Sequence, residues 1–149
     1  MKIEDIIQSK AMPLGRKTAL NLMYTSNLLQ DKTAEILKPF DLSPEQFNVL
    51  RILRGQKGNP ANLCTIQERM ICKMSNTTRL VDKLLAKGLV ERSVCQENRR
   101  KVEINITEKG LSILAEIDEP IDEHNSNIIK NLTKEEIEAF NETLEKIRD

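Results

Sequence analysis

Residues 65–88 read TIQERMICKMSNTTRLVDKLLAKG, and the stretch divides into two short amphipathic helices joined by a turn. Thr65 followed three residues later by Glu68 has the form of a capping box. It predicts a short helix from Ile66 with two orphan backbone donors satisfied. After Cys72 and Lys73 the spacing predicts a second helix from about Met74 to Lys87. Leu80, Val81, Leu84 and Leu85 turn inward, and Gly88 is the left-handed residue that ends it. The face left free carries Ser75, Asn76, Thr77, Thr78, Arg79 and Lys83, short hydrogen-bonding groups and cations suited to reading DNA.

Beyond Gly88 the period changes from helical to alternating. Leu89, Val90, Arg92 and Val94 lead through Gln96, Glu97 and Asn98 to Val102, Ile104 and Ile106, which predicts a β-hairpin. Arg99, Arg100 and Lys101 lie together at its tip. Adjacent cations on a protruding ribbon suit a phosphate backbone or a narrow minor groove, whose negative potential attracts arginine. A helix-turn-helix followed at once by a basic two-stranded wing predicts double-stranded DNA as a partner.

The runs Ser75 to Leu84, Lys87-Gly88-Leu89-Val90-Glu91-Arg92, Asn98-Arg99-Arg100 and Ile106-Thr107-Glu108-Lys109-Gly110 together resemble the winged-helix core of MarR-type transcriptional regulators. The resemblance extends over the chain in length and order of elements, and is most specific from Thr78 to Gly110. It implies a dimeric DNA-binding protein, mostly a repressor in this family, whose recognition helix enters the major groove while a wing arginine reaches the minor groove. Arg100 matches that arginine by position. Asn98 stands where the family usually has an aspartate that helps orient the wing.

Composition agrees. A chain of 149 residues predicts a single domain, and its 3% aromatic content with no Trp predicts a core of Leu, Ile, Val and Met. The fold class expected is mainly α with a small β-hairpin wing: a winged helix-turn-helix over residues 41–110, flanked by dimerisation helices in 1–40 and 111–149. No apolar run approaches the roughly 18 residues of a transmembrane helix, and Met1 to Asp5 lack the form of a signal peptide, so a cytoplasmic protein is expected. The formal net charge is zero but unevenly spread. Residues 69–110 carry 10 Lys/Arg against 5 Asp/Glu, a net of +5, whereas residues 111–149 carry 4 against 11, a net of −7. Screening makes the local field decisive, so the acidic end should face away from DNA.

Upstream, Leu20, Met23, Tyr24, Leu28, Ala34 and Leu37 recur at helical intervals and predict a long helix from about Lys17 to Leu37, ending before Pro39. Ser43, Pro44 and Gln46 then give a strong start to a helix carrying Phe47, Val49, Leu50, Ile52 and Leu53, with Arg51 and Arg54 read as a solvated face. Downstream, Thr107 caps a helix that runs through Leu114 and Ile117, is kinked at Pro120 and reaches about Ile129. Thr133 with Glu136 opens the last one. Ile137, Phe140, Leu144 and Ile147 on that last helix form a stripe one seam wide, as does the short piece around Ile3, Ile6 and Ile7. Such stripes exceed what a small winged helix can cover, which predicts a two-fold homodimer.

Within this reading Lys83, Arg99 and Lys101 position the protein on phosphates, while Ser75, Asn76, Thr77 and Arg79 read bases. Thr65, Gln67 and Arg69 add contacts from the first helix. Arg79 has an alternative role in a salt bridge to Asp82 or a neighbouring subunit. The resemblance further implies a small lipophilic or phenolic effector. Met23, Tyr24, Phe47 and Leu50 could line its site or simply pack in the core.

Cys64, Cys72 and Cys95 make no C-x-x-C pair, and His124 is far from all three, so neither a metal nor a cofactor is expected and the thiols should be free. The resemblance implies that some relatives sense oxidants through a cysteine near the start of the first long helix; none stands there in this chain, which leaves Cys64 or Cys72 as the remaining redox candidates. No Ser/His/Asp arrangement or phosphate-cradling glycine loop is present, so an enzyme is not expected. The alternative function is a winged-helix module that docks protein through the same basic surface.

Overall fold

Side-chain caps decide where most of the helices begin. The computed structural model, which covers residues 1–149, runs α1 (Ile3–Ile6), α2 (Leu14–Leu37), a 3-10 turn (Lys38–Phe40), α3 (Pro44–Gly55), α4 (Leu63–Arg69), α5 (Thr77–Ala86), β1 (Val90–Val94), β2 (Val102–Ile106), α6 (Glu108–Ile129) and α7 (Lys134–Arg148). Ser43 and Thr133 close full capping boxes with Gln46 and Glu136. Thr107 accepts the amide of Gly110 to start α6, which continues through Pro120 to Ile129. Each cap satisfies an amide that would otherwise lack a partner, typically worth about 1 kcal/mol.

Three starts differ from the sequence reading: α2 begins at Leu14, directly after Pro13, instead of at about Lys17, and asparagine caps move the other two. The cap of α4 is Asn62, whose Oδ1 accepts the Thr65 amide at 2.8 Å, so Thr65 lies inside the helix instead of capping it. The helix expected from about Met74 begins at Thr77, because Asn76 takes extended backbone and its Oδ1 accepts the Arg79 amide at 3.1 Å. Asn is among the strongest N-cap residues, and in both places it overrides a helical pattern that continues through it. Gly88, at φ 71°, closes the C-terminal side of α5 as expected.

β1 and β2 form a two-stranded antiparallel hairpin with Val90 opposite Ile106 and Val94 opposite Val102. Ala61, just before α4, exchanges two hydrogen bonds with Ile104 of β2, at 3.0 and 2.8 Å, so the root of the wing is tied back to the helix-turn-helix. A single core of 17 buried residues unites Leu37 of α2, Val49, Leu50 and Leu53 of α3, Ile66 of α4, Val81 and Leu84 of α5, Ile104 of β2, and Leu114, Ile117 and Ile121 of α6. Every member is aliphatic, Met or Ala apart from Phe47. Removing such side chains from water contributes about 1.5–3 kcal/mol each, which seats α5 firmly. The long helices meet the reading motif in this core, and no residue of α7 is fully buried, only Ile137 and Leu144 being partly covered.

Arg54 departs from the solvated face expected of it: its guanidinium makes a two-pronged ion pair with Asp118 of α6, at 2.8 and 2.9 Å. Two residues 64 positions apart in sequence give no local signal of such a pair. Arg51 lies over the Phe47 ring, 5.6 Å from its centroid. No helix is long and apolar enough to cross a membrane.

Candidate nucleic-acid interface

The inner face of α5 is decided by Val81 and Leu84, both fully buried, and this rotation turns Thr78, Arg79, Asp82 and Lys83 outward. Arg79 is exposed and forms no ion pair, because the acid expected as its alternative partner is taken: Asp82 Oδ1 accepts from Arg92 of β1 at 3.1 Å. Arg92 thereby braces the wing against the reading helix. The sequence reading missed this link, since nothing local relates a helix residue to a strand residue ten positions on.

Three predicted readers are placed differently from the rest. Thr77 is only 6% exposed, since as the first residue of α5 it faces α4, where its hydroxyl donates to Gln67 Oε1. Its hydroxyl is thus turned from the open face of α5 and engaged within the motif, unlike the expected base-reading position. Gln67, expected to add a contact from α4, has its other end committed as well, with Nε2 donating to the Lys73 carbonyl at 3.0 Å. Ser75 is half-buried and its hydroxyl is enclosed without a partner. Asn76 stays exposed, although its carbonyl oxygen is engaged as the cap. Thr65 is half-buried, whereas Arg69 is exposed at the end of α4.

The wing tip is a tight turn between Cys95 and Lys101, closed by the Cys95 amide on the Lys101 carbonyl at 3.0 Å and the Lys101 amide on the Asn98 carbonyl at 2.9 Å. Asn98 Oδ1 accepts the Arg100 amide at 3.1 Å. Its side chain thus shapes the tip in the manner of an Asx turn, a neutral substitute for the acid usual at this position. Arg99, Arg100 and Lys101 all project exposed, with no acidic side chain paired to them. At the other end of α5, Lys87 reaches the Asp41 carbonyl and Gln46 Oε1, while Lys109 Nζ donates to the Lys87 carbonyl at 2.9 Å. A free-faced helix and a cation-tipped ribbon on one frame can engage adjacent grooves of a duplex.

The MarR family model matches residues 42–102, which span α3 to the start of β2. A MarR transcription factor from Planctomyces limnophilus superposes with a TM-score of 0.70 at 30% identity, covering 91% of this chain and 98% of that one. The chain belongs to the MarR family. The multiple antibiotic resistance protein MarR of Salmonella typhimurium is 28% identical over 149 residues, 99% of each chain. A cysteine-to-serine variant of Escherichia coli MarR, crystallised with operator DNA, superposes at a TM-score of 0.78 with 24% identity, covering 97% of this chain and 96% of that one.

The residues that MarR resemblance suggested for an effector are not brought together. Leu50 is sealed in the core, while Met23, 64% exposed, and Tyr24 stand on the open face of α2. Phe47 alone borders a cavity of about 270 Å³ between α2, α3 and the turn after α4, beside Arg51, Asn48, Met70 and Ile71. Helical spacing placed all four on apolar stripes, but the α3 stripe is packed in the core while Met23 and Tyr24 of α2 stay exposed. All three cysteines are free; Cys64 Sγ hydrogen-bonds Glu68 Oε1 at 3.4 Å, and that acceptor, with its negative charge, raises the thiol above its ordinary pKa. Such a thiol is a poor nucleophile at neutral pH.

Proposed function

We propose that the protein is a homodimeric transcriptional repressor that binds a pseudo-palindromic operator through α5 and the wing. The chain is a DNA-binding transcriptional regulator of the MarR family. The observation that carries this reading is the pairing of an unobstructed α5 face, bearing Thr78, Arg79 and Lys83, with the exposed Arg99-Arg100-Lys101 tip. On this reading Arg79 and Asn76 contact base edges, Arg100 enters the minor groove, and Lys83, Arg69, Arg99 and Lys101 neutralise phosphates. The likeness to a MarR structure solved on operator DNA supports it.

Dimerisation is supported by apolar surface that the monomer leaves uncovered on the long helices. Leu14, Met23 and Leu28 on α2, Ile128 and Ile129 at the end of α6, and Phe140 and Ile147 on α7 are all exposed. Phe140 is 53% and Ile147 56% exposed. A second copy related by two-fold symmetry would cover the same stripes on both chains and present two reading helices about 34 Å apart, one turn of DNA. We assign the small lipophilic or phenolic effector that the family resemblance implies to the cavity beside Phe47. A ligand there releases DNA only by favouring one spacing of the reading heads over another.

The test is duplex binding at several salt concentrations, using DNA upstream of the protein's own gene, for the wild type and for Arg79→Ala and Arg100→Ala. Arg79→Ala should weaken operator binding by about 1–3 kcal/mol, and a variant that loses a phosphate contact should flatten the log–log salt slope by about one. Salt-insensitive binding, or none, would favour a protein-docking module instead.

A further inference from the structure

The two helices of the reading motif meet through a polar contact as well as an apolar one. Thr77, the first residue of α5, is 94% buried by its 6% exposure, and a hydroxyl so placed needs a partner. Gln67 of α4 supplies it through Oε1. The same amide donates from Nε2 to the Lys73 carbonyl at 3.0 Å, in the middle of the turn. One side chain therefore joins α4, the turn and the start of α5. The turn is also tied by the Lys73 ammonium on the Glu68 carbonyl, the Ser75 amide on the Cys72 carbonyl at 3.2 Å and the Ile71 amide on Asn48 Oδ1 at 2.9 Å, none of which reaches the side chain of Thr77. Asn76, Thr78 and Arg79 stand immediately beside the anchored residue.

We infer that Gln67 is a positioning residue for DNA recognition: it clamps the turn so that α5 presents Asn76, Thr78 and Arg79 in one fixed place. A base-edge hydrogen bond tolerates little displacement, since both distance and angle must be met. Contacts from flexible lysines and arginines to phosphates tolerate far more, and they carry no sequence information. Loosening the clamp therefore lowers discrimination between operator and unrelated DNA while leaving non-specific, salt-dependent binding in place. The inference rests on the DNA-binding reading above.

The experiment measures, for the full-length protein, affinity for a duplex selected by the wild type from a random-sequence pool and for an unrelated duplex of equal length at the same salt. Gln67→Leu, Thr77→Val, the double variant and Arg79→Ala are compared, each with a melting temperature. Gln67→Leu strands the Thr77 hydroxyl, so its melting temperature falls; the double variant replaces both partners by apolar groups and recovers most of that loss. The expected result is that both Gln67 variants lose discrimination on the order of tenfold, the size of one lost base contact, with the double variant still impaired although stable. Discrimination that is unchanged in Gln67→Leu, or fully recovered in the double variant together with its stability, overturns the inference and leaves the contact a stability feature. Arg79→Ala separates the two levels: undiminished discrimination there overturns the DNA-reading assignment itself, and the inference with it.

Discussion

Gly110 marks where the long helix α6 rests on the root of the wing, and Gly110→Ala should break that seat. A Cβ at this position would stand 2.4 Å from the Leu89 carbonyl oxygen and 2.7 Å from Ile106 Cγ1. The Leu89 oxygen cannot withdraw cheaply, because it accepts the Thr107 amide at 3.0 Å just before α6 begins. Overpacking of this kind costs about 1–3 kcal/mol, and a backbone obstacle puts the cost at the upper end. Alanine's preference for helix over glycine returns at most about 1 kcal/mol. The net destabilisation is about 2 kcal/mol, which for a chain of this size lowers the melting temperature by roughly 4–8 °C. The assay is thermal unfolding followed by far-UV circular dichroism at one fixed protein concentration, since assembly makes the midpoint concentration-dependent. Gly55→Ala is the matched control, because a Cβ there would meet nothing within 4 Å and the backbone is not left-handed. It should be neutral or stabilising by less than about 1 kcal/mol. An unchanged or raised midpoint for Gly110→Ala would refute the close approach of α6 to Leu89.

Asn62→Ala should destabilise by about 1 kcal/mol through loss of the α4 cap, whereas Thr65→Ala should shift urea unfolding by under about half of that; equal effects would return the cap to Thr65. Arg54→Ala and Asp118→Ala should each cost roughly 1 kcal/mol or less, since the pair is partly solvated, and a double-mutant cycle should show coupling that weakens with salt. Additive effects would mean that α3 and α6 are not joined there. Cys64 should alkylate slowly at neutral pH, as its raised pKa leaves little thiolate, and Glu68→Ala should speed the reaction by removing the hydrogen-bond acceptor, and with it the charge, that oppose ionisation. Mass spectrometry of the modified peptide reads this directly, and a rate that ignores Glu68 would contradict the contact.

The order and type of the elements were legible in the chain because each is written locally. Ser43-Pro44-Glu45-Gln46, Thr107 and Thr133 with Glu136 announce their helices, Gly88 announces the end of α5, and the change of period after it announces the hairpin. The inner faces followed as well, since Val81, Leu84, Ile104, Leu114 and Ile117 fall at the period of their own element and are all buried. Hydrophobic spacing is a property of a few consecutive residues, so sequence alone suffices to read it.

What a polar side chain does is set by neighbours distant in the chain, and only the tertiary structure decided that. Thr77 and Gln67 looked like readers of DNA until α4 and α5 were packed and the two met each other. Arg54 looked solvated until α6 brought Asp118 beside it, and Asp82 looked like a partner for Arg79 until the wing offered Arg92. Most buried polar groups find a partner, though the Ser75 hydroxyl does not, and a residue's identity alone does not say which of several candidates the fold will deliver.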